Sequence, residues 1–404
     1  MDLKSGYPYW AIKNGLMQAF PPLRADLRCE VAVIGGGITG ALIADELAGH
    51  GHDVALIEQR DVGWGSSSAS TALLQYEIDT HMIDLSKRYG EADALLAYGK
   101  CAEAIRMLQD NARDIRDVDF AWADSLYYAS KHRHARVLRD EFELRLRHGF
   151  QVELLEHDDL RERYGIGAPV AILSHQAARI DPYRMAYRLL ARLQERGSAI
   201  FDRTRIESIQ ATSRSVALRT TEGHTIRAGH AVLAAGYASQ HWLKKKVAQN
   251  RSSYAFITDP IDDQALGPLK TTMLWESARP YLYMRSTGDG RLLVGGEDDS
   301  VDIPAKRDAR VEKKARTLGK KVAGLFPHLP LAPAFAWAGT FAETEDGLPF
   351  FGVHPQLGPR VHFAMAYGGN GITYSMLGAG LLRASIEKRR HPLSELFGFG
   401  RLER

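Results

Sequence analysis

The chain has 404 residues, of which 45% are hydrophobic and 25% charged, and its formal net charge is +3. This length exceeds one ordinary hydrophobic core and predicts two domains, and the nearly balanced charge argues against a nucleic-acid partner. Cys29 and Cys101 are too few for a disulfide framework or a cysteine-ligated metal centre, and no apolar run approaches the ~18 residues of a membrane span.

The N-terminal segment MDLKSGYPYWAIKNGL has neither the apolar core nor the cleavage site of a signal peptide. We therefore expect a cytoplasmic protein. Tyr7, Tyr9 and Trp10 indicate that residues 1–24 form an ordered arm before the first strand.

The first regular elements are a strand, a glycine-rich turn and a helix. The β-branched run EVAVIG is typical of a buried parallel strand. Three glycines follow in GxGxxG spacing, and the helix ITGALIADELAGHG ends at Gly49 or Gly51. A second strand, HDVALIE, ends in Glu58, which is 18 residues after Gly40. This complete βαβ unit predicts dinucleotide binding.

Each residue type in the unit has a physical reason. Gly35 permits the tight turn, Gly37 lets the backbone approach a pyrophosphate at the helix N-terminus, and Gly40 allows close packing of helix and strand. Glu58 accepts hydrogen bonds from a ribose diol. The turn alone does not distinguish NAD from FAD.

A segment rich in glycine and serine follows the second strand, QRDVGWGSSSASTALLQYE. Its hydroxyl and N–H groups suit a second phosphate and the ribityl chain of a flavin, whereas the alternative is a flexible loop. The cofactor residues that we assign to these first segments, besides the glycines and Glu58, are Ile38, Thr39, Gln59, Arg60, Gly65, Ser66, Ser67, Ser68, Ser70 and Thr71.

The remaining segments predict a second, mostly antiparallel sheet and another helix N-terminus. Residues 84–116 and 131–149 are amphipathic helices, and YAFITDP, TTMLWES, PYLYMRS and GRLLVGG are strands, with a hairpin turn at STGDG. In GGNGITYSMLGAGLLRASI, glycines precede an apolar helix whose N-terminus favours partial negative charge.

Five ordered segments, and nearly the whole chain, resemble the D-amino acid oxidase-like (DAO) FAD-dependent oxidoreductases, a family that includes glycine, sarcosine and gamma-glutamylputrescine oxidases. The segments are GGGITG with Glu58 and GSSSAST, RIDPYRMAYRLLARLQERGSAIFDRTRIESI, AVLAAGYAS, YLYMRSTGDGRLLVGGED, and TEDGLPFFG with YGGNGITYS.

The resemblance implies an α/β fold in which a Rossmann-like FAD-binding domain is joined to an α+β substrate domain with a mostly antiparallel sheet. The FAD-binding domain then comprises 25–85, 175–245 and 338–404, and the substrate domain comprises 86–174 and 246–337. It also implies noncovalent FAD, with contacts from Arg205 and Ile206 beside the adenine and from Ala235, Gly236, Gly369, Asn370, Gly371, Ile372 and Thr373.

The resemblance further implies oxidation of an amine or amino-acid-like substrate by hydride transfer to flavin N5, giving an imine that hydrolyses. Electrons then pass to O2 or to an electron carrier. Family members that oxidise amino acids clamp the substrate carboxylate with arginine, but Phe341 stands at that position and argues against a simple α-amino acid. Leu293 stands where sarcosine oxidase-like members carry the lysine that activates O2.

Substrate contacts are predicted from Tyr283, Phe341 and Tyr367, and from Arg285, which either binds an anionic group or is a surface strand residue. An aromatic pocket suits a cationic or apolar amine, with Glu276 or Glu343 as charge partner. The predicted aromatic residues are Tyr76, Tyr254, Trp275, Tyr283, Trp337, Phe341 and Tyr367.

Two alternative functions remain open at this stage. One is a hydroxyl-oxidising dehydrogenase of the same fold, acting on a 2-hydroxy acid or a glycerol-phosphate-like substrate. The other is a flavoprotein with a binding or regulatory role.

Overall fold

The computed structural model describes residues 3–5, 8–365 and 368–403. Its strands are β1 (Leu27–Ile34), β2 (Val54–Ile57), β3 (Leu73–Leu74), β4 (Ala121–Tyr128), β5 (Val152–Glu156), β6 (Val170–Arg179), β7 (Ala199–Phe201), β8 (Ile206–Ala211), β9 (Val216–Thr220), β10 (Thr225–Leu233), β11 (Gln249–Pro260), β12 (Thr272–Glu276), β13 (Leu282–Ser286), β14 (Arg291–Asp299), β15 (Pro333–Glu343), β16 (Phe350–Val353) and β17 (Val361–Met365).

The α-helices are α1 (Tyr9–Asn14), α2 (Ile38–Gly49), α3 (Ser66–Ala69), α4 (Met82–Tyr89), α5 (Glu91–Ile115), α6 (Ala135–Arg147), α7 (His157–Tyr164), α8 (Pro182–Glu195), α9 (Asp263–Leu266), α10 (Pro304–Asp308), α11 (Val311–Leu325) and α12 (Gly371–Ile386). Short 3-10 helices cover His132–His134, Gly236–Trp242, Gly267–Lys270, Pro355–Leu357 and Phe399–Glu403. None of the helices described is both long and apolar enough to cross a membrane.

The first sheet has the strand order β16-β17-β10-β1-β2-β7, with β9 and β8 continuing from β10. Strands β17, β10, β1, β2 and β7 are parallel to one another. All residues of β2 and β17 are buried, as expected for parallel strands covered on both faces. Helices α2, α5, α8 and α12 pack together beside this sheet. The predicted Rossmann-like domain is confirmed.

Close packing between β1 and α2 depends on Gly40. A Cβ atom added to Gly40 would lie 1.8 Å from the carbonyl oxygen of Gly35, so no side chain is tolerated there. Helix α2 ends at Gly49, one of the two ends predicted.

The second sheet has the strand order β15-β11-β14-β13-β12-β4-β6-β3, and β5 also pairs with β6. Its pairs are antiparallel except for β12 with β4. The predicted hairpin at STGDG joins β13 to β14, with Ser286 opposite Leu292. The expected mostly antiparallel sheet is therefore confirmed.

The structure differs from the prediction at one helix and at two domain boundaries. The helix predicted over 84–116 is two helices, because Gly90 interrupts it with φ +90°. Strands β6 and β15 run across the domain boundaries that we predict near 175 and 338, and both belong entirely to the second sheet. Length and hydrophobic pattern did not show that these strands extend so far.

The N-terminal arm is ordered where the structure describes it. Lys4 forms an antiparallel bridge to Gly339 of β15. Trp10 is fully buried, and its indole N–H donates a 2.7 Å hydrogen bond to the carbonyl oxygen of Ser70. Tyr7 lies outside the described residues. The arm thus packs against both the serine-rich segment and the second sheet.

Candidate active site

A cavity of about 620 Å³ lies between the two sheets. One end is lined by the carboxyl ends of β1 and β2 and by the N-termini of α2 and α12, and the other by β11 to β15. Crevices at the carboxyl ends of parallel strands and at domain junctions are the usual location of ligands in such folds. We call the end of the cavity at β1 and β2 the cofactor end, and the end at β11 to β15 the substrate end.

Glu58 directly follows β2 and faces the cofactor end. Its Oε2 accepts a 2.7 Å hydrogen bond from the N–H of Gly36, and its Oε1 accepts one of 2.9 Å from the N–H of Arg60. Burial raises the pKa of Glu58, and these two backbone donors oppose the increase. The carboxylate is fixed in orientation, and each oxygen retains a lone pair for a ribose hydroxyl.

The N-terminus of α2 meets the serine-rich segment. The Ser67 hydroxyl oxygen accepts a 2.8 Å hydrogen bond from the N–H of Ile38. The neighbouring Ser66 Oγ is shielded from solvent, has no hydrogen-bond partner among the described residues, and belongs to a residue that lines the cavity. A buried hydroxyl without a partner is costly, so this atom points to a ligand group beside the helix N-terminus.

The serine-rich segment is the short helix α3, not an open loop. Ser68 is fully buried and donates a 2.9 Å hydrogen bond to the carbonyl oxygen of Gly65. Neither Ser68 nor Gly40 is among the cavity-lining residues described. The prediction of a cofactor contact from Ser68 is therefore wrong, because its hydroxyl closes the turn beneath α3, and Gly40 acts through packing.

A third segment completes the cofactor end. The N–H of Thr204 donates a 2.8 Å hydrogen bond to the carbonyl oxygen of Glu58. This bond brings Arg205 and Ile206, the next residues in the chain, beside Glu58. The other predicted cofactor residues that line the cavity are Gly35, Gly37, Ile38, Thr39, Gln59, Arg60, Gly65, Ser66, Ser67, Ser70, Thr71, Arg205, Ile206, Ala235, Gly236, Gly369, Asn370, Gly371, Ile372 and Thr373.

Helix α12 begins at Gly371, and its N-terminus is anchored by the segment that follows β3. The N–H of Gly369 donates a 2.9 Å hydrogen bond to Asp79 Oδ2, and the Asn370 side-chain amide donates one of 2.6 Å to the carbonyl oxygen of Glu77. Gly369, Asn370 and Gly371 line the cavity, so the positive end of the helix faces it. Tyr367 lies outside the described residues.

These features fit FAD. The fixed carboxylate of Glu58 suits a ribose, and the N-terminus of α2 with Ser66 suits a pyrophosphate. The N-terminus of α12 suits the electron-accepting part of a flavin. In the described part of the chain, no group of three metal-ligating side chains is arranged to hold a metal ion.

Aromatic side chains form the walls of the substrate end. The Tyr283 hydroxyl lies 3.0 Å from Ser253 Oγ. A Cβ atom added to Gly295 would lie 2.2 Å from the Tyr283 ring, so the glycine creates the space that this ring occupies. The aromatic residues that line the cavity are Tyr237, Trp242, Tyr254, Trp275, Tyr281, Tyr283, Trp337 and Phe341.

Arg285 is a structural residue. It is only 1% exposed, and its guanidinium donates hydrogen bonds of 2.7 Å to Thr71, 3.0 Å to Ser286 and 3.0 Å to Ile180, in each case to the carbonyl oxygen. Burial lowers its pKa to about 10. Both predictions for Arg285 are wrong: it is not a surface residue, and its donors are taken by three backbone carbonyl oxygens, so it is not among the described residues that line the cavity.

The prediction that Tyr76 lines the substrate pocket is wrong, and the two alternative charge partners, Glu276 and Glu343, differ in position. The Tyr76 hydroxyl lies 3.1 Å from Ser174 Oγ, and its ring stacks on Phe150 in the core. Glu276 lies 3.7 Å from Lys321 and is not among the described lining residues. Glu343 does line the cavity.

Sequence reasoning missed the acidic groups at the substrate end. Asp79 and Asp298 both line the cavity, and Asp298 Oδ1 is shielded from solvent without a hydrogen-bond partner. Burial, with smaller contributions from Asp79 and Glu343, raises the pKa of Asp298 to about 7. The available signal was the acidic run GGEDD at the end of a buried strand, a pattern that is also common on solvated strand ends.

Comparisons with known proteins agree with this geometry. Residues 30–384 match the family described as FAD dependent oxidoreductase (DAO). The chain is 26% identical over 394 residues to gamma-glutamylputrescine oxidoreductase of Escherichia coli (strain K12), covering 94% of this chain and 89% of that protein. It is 27% identical over 402 residues to glycine oxidase of Geobacillus kaustophilus (strain HTA426), covering 92% and 96% respectively.

Solved structures show the same fold. The crystal structure of glycine oxidase from Geobacillus kaustophilus superimposes with a TM-score of 0.77 at 21% identity, covering 92% of this chain and 98% of that chain. The structure of L-proline dehydrogenase from P. horikoshii superimposes with a TM-score of 0.79 at 18% identity, covering 94% and 99%.

Proposed function

The chain belongs to the DAO family of FAD dependent oxidoreductases, and we propose that it oxidises a C–N bond of an amine or amino-acid-like substrate to an imine that hydrolyses. FAD, bound noncovalently, supplies the hydride acceptor. The observation that carries this proposal is the composition of the substrate end. It presents aromatic rings and carboxylates, and the only arginines or lysines among the described lining residues are Arg60 and Arg205 at the cofactor end.

The chain's own residues would hold and orient the reactants. Glu58 holds the ribose, Arg205 and Ile206 flank the adenine, and the N-termini of α2 and α12 face the pyrophosphate and the flavin. Phe341 and Tyr283 enclose the carbon chain of the substrate and exclude water from the reacting C–H bond. Because an amine must be neutral to lose hydride, a carboxylate close to it would assist by taking its proton.

The relatives of this chain support an amine substrate. The chain is similar to proteins named gamma-glutamylputrescine oxidoreductase and glycine oxidase. We propose O2 or an electron carrier as acceptor, and mixing the reduced protein with air-saturated buffer distinguishes them by the rate of flavin reoxidation.

The alternative of a hydroxyl-oxidising dehydrogenase is less well supported. A glycerol-phosphate-like or 2-hydroxy acid substrate carries an anionic group that requires a cationic partner. The described substrate end offers carboxylates instead.

Anaerobic reduction of the flavin by a substrate panel tests the proposal. We expect primary and secondary amines to bleach the flavin absorption band and hydroxy acids to leave it unchanged. Bleaching by hydroxy acids alone would favour the dehydrogenase, and no bleaching by any compound would favour a binding or regulatory role. Acid precipitation tests noncovalent binding: FAD should appear in the supernatant, and colour retained in the pellet would contradict it.

A further inference from the structure

We propose that Asp298 and Asp79 form a cation-binding subsite at the substrate end, which takes the alkylammonium group of a cationic amine. This inference rests on the proposed function and names its substrate class. It identifies the substrate as a positively charged amine that binds at these two carboxylates and that carries no carboxylate group of its own next to the amine nitrogen.

The first observation is the unpaired hydrogen-bond acceptor on Asp298. This residue lies near the end of β14, and its Oδ1 has no hydrogen-bond donor among the described residues although it is shielded from solvent. The residue lines the cavity beside Ser253 and Tyr283. A shielded carboxylate oxygen without a donor is costly, and an incoming N–H donor removes that cost.

The second observation is the position of Asp79. Its Oδ2 accepts the N–H of Gly369 just before α12, so the carboxylate lies where the cofactor end meets the substrate end. Burial raises the pKa of Asp79, and Glu343 adds to the increase. A cation bound between Asp79 and Asp298 would therefore be held next to the N-terminus that we assign to the flavin.

The third observation is the local charge balance. Glu343 forms ion pairs with Arg251 and, at 3.2 Å, with Arg279, and Glu77 lies 3.8 Å from Arg145. Within the described residues, neither Asp79 nor Asp298 has an ion-pair partner within 4 Å. The positive charge of Arg279 lowers the pKa of both carboxyl groups without forming an ion pair with either. The site consequently has a deficit of positive charge that a substrate cation would neutralise.

The surrounding walls select an organic cation. Trp275, Tyr281, Tyr283 and Phe341 line the same end. Aromatic faces attract ammonium groups and accommodate their alkyl chains. A metal ion would need more oxygen ligands, and no group of three metal-ligating side chains is found among the described residues. The combination of two carboxylates with aromatic walls matches an alkylammonium ion.

Binding of tert-butylammonium to the FAD-loaded protein tests the subsite without turnover. This amine has no hydrogen on the carbon that carries nitrogen, so it cannot be oxidised, and pivalate has a similar shape with the opposite charge. Titrations are followed by perturbation of the flavin band and by calorimetry. We expect tert-butylammonium to bind at least roughly tenfold more tightly than pivalate, as one charge-assisted hydrogen bond implies.

The variant Asp298→Asn keeps the shape of the side chain and removes its charge. We expect it to weaken tert-butylammonium binding about 10- to 100-fold and to leave pivalate binding no weaker, which also shows that the fold is intact. Asp299→Asn is the matched control, because Asp299 is not among the described residues that line the cavity, and its carboxylate already accepts from Arg310 at 2.8 Å and from the Tyr254 hydroxyl at 3.1 Å. This control should change neither affinity.

The pH dependence provides an independent measurement. Asp298 faces Ser253 on β11, Tyr283 on β13, Glu343 on β15, and Asp79 and Arg279 from loops. In the wild type, affinity for tert-butylammonium should fall as the pH drops below 7, and this dependence should weaken in Asp298→Asn. Tighter binding of pivalate, or an unchanged tert-butylammonium affinity in Asp298→Asn, would overturn the subsite. If tert-butylammonium binds as expected but no amine bleaches the flavin, the proposed function fails while the subsite stands.

Discussion

The hydroxyl oxygens of Thr39 and Ser375 lie 2.8 Å apart and join the N-terminal parts of α2 and α12. Ser375 donates its own proton to the carbonyl oxygen of Gly371 at 2.6 Å. Thr39 is therefore the donor in the link between the helices. This contact fixes the spacing of the two helix N-termini that we assign to the pyrophosphate and the flavin.

Removing either hydroxyl should affect the same interaction. We expect Thr39→Val and Ser375→Ala each to lower the free energy of unfolding, and the double variant to show a coupling of about 0.5–1.5 kcal/mol. Chemical denaturation of the FAD-loaded proteins measures this coupling. Strictly additive effects would contradict the link.

Gly40→Ala should disrupt the FAD-binding domain, because its new Cβ atom would lie 1.8 Å from the carbonyl oxygen of Gly35. We expect a loss of several kcal/mol of stability, as for other overpacked sites. Gly99→Ala in α5 is the matched control, since a Cβ atom there meets nothing within 4 Å. This control should raise stability by roughly 0.5–1 kcal/mol. Equal thermal midpoints for the two variants would argue against the packing role.

Glu58→Ala should weaken FAD binding without unfolding the protein. A charge-assisted hydrogen bond to ribose contributes about 1.5–3 kcal/mol, so the FAD dissociation constant should rise roughly 10- to 100-fold. Glu58→Gln keeps one acceptor oxygen and should show an intermediate loss. Equilibrium titration of the apoprotein gives the three constants, and an unchanged value in Glu58→Ala would reject Glu58 as the ribose ligand.

Phe341→Arg should shift the substrate preference toward small amino acids. In the wild type, a carboxylate placed against the Phe341 ring loses hydration without gaining a partner, at a cost of several kcal/mol. We expect kcat/KM for glycine and sarcosine to be low relative to a longer amine and to increase in Phe341→Arg, with Phe341→Leu as the uncharged control. A wild type that already prefers glycine would contradict this interpretation of Phe341.

Asp298→Asn should raise stability above neutral pH in the absence of amine. Because burial raises the pKa of Asp298 to about 7, the folded state keeps the proton that the unfolded state releases near pH 4. The wild type therefore loses stability as the pH rises from about 4 to 7, and the variant avoids this loss. We expect an advantage of roughly 1–3 kcal/mol at pH 8 that shrinks at pH 5. An advantage independent of pH would contradict the assigned titration.

The cofactor end could be predicted from sequence because its signals are local. Gly35, Gly37, Gly40 and Glu58 fall within one βαβ unit, and their backbone requirements leave a fixed spacing in the chain. The Ser68 error arose within that same region, since composition identifies hydroxyl groups but not the turn that uses them.

The substrate end could be predicted only in part. Asp79 and Asp298 come from segments 219 residues apart, and they line the same cavity only because the two sheets pack around it. Strand alternation gave no means to foresee that three carbonyl oxygens would take the donors of Arg285. Long-range packing decided these positions.

The bridge between Lys4 and Gly339 has a consequence for handling the protein. Strand β15 is an edge strand of the second sheet. Residues 3–5 cover its outer edge through hydrogen bonds such as that from the N–H of Ser5 to the carbonyl oxygen of Ala338 at 2.9 Å. An uncovered strand edge is a template for pairing with other chains. Proteolytic clipping of the arm would therefore favour aggregation during storage, and a purification tag is better attached at the C-terminus.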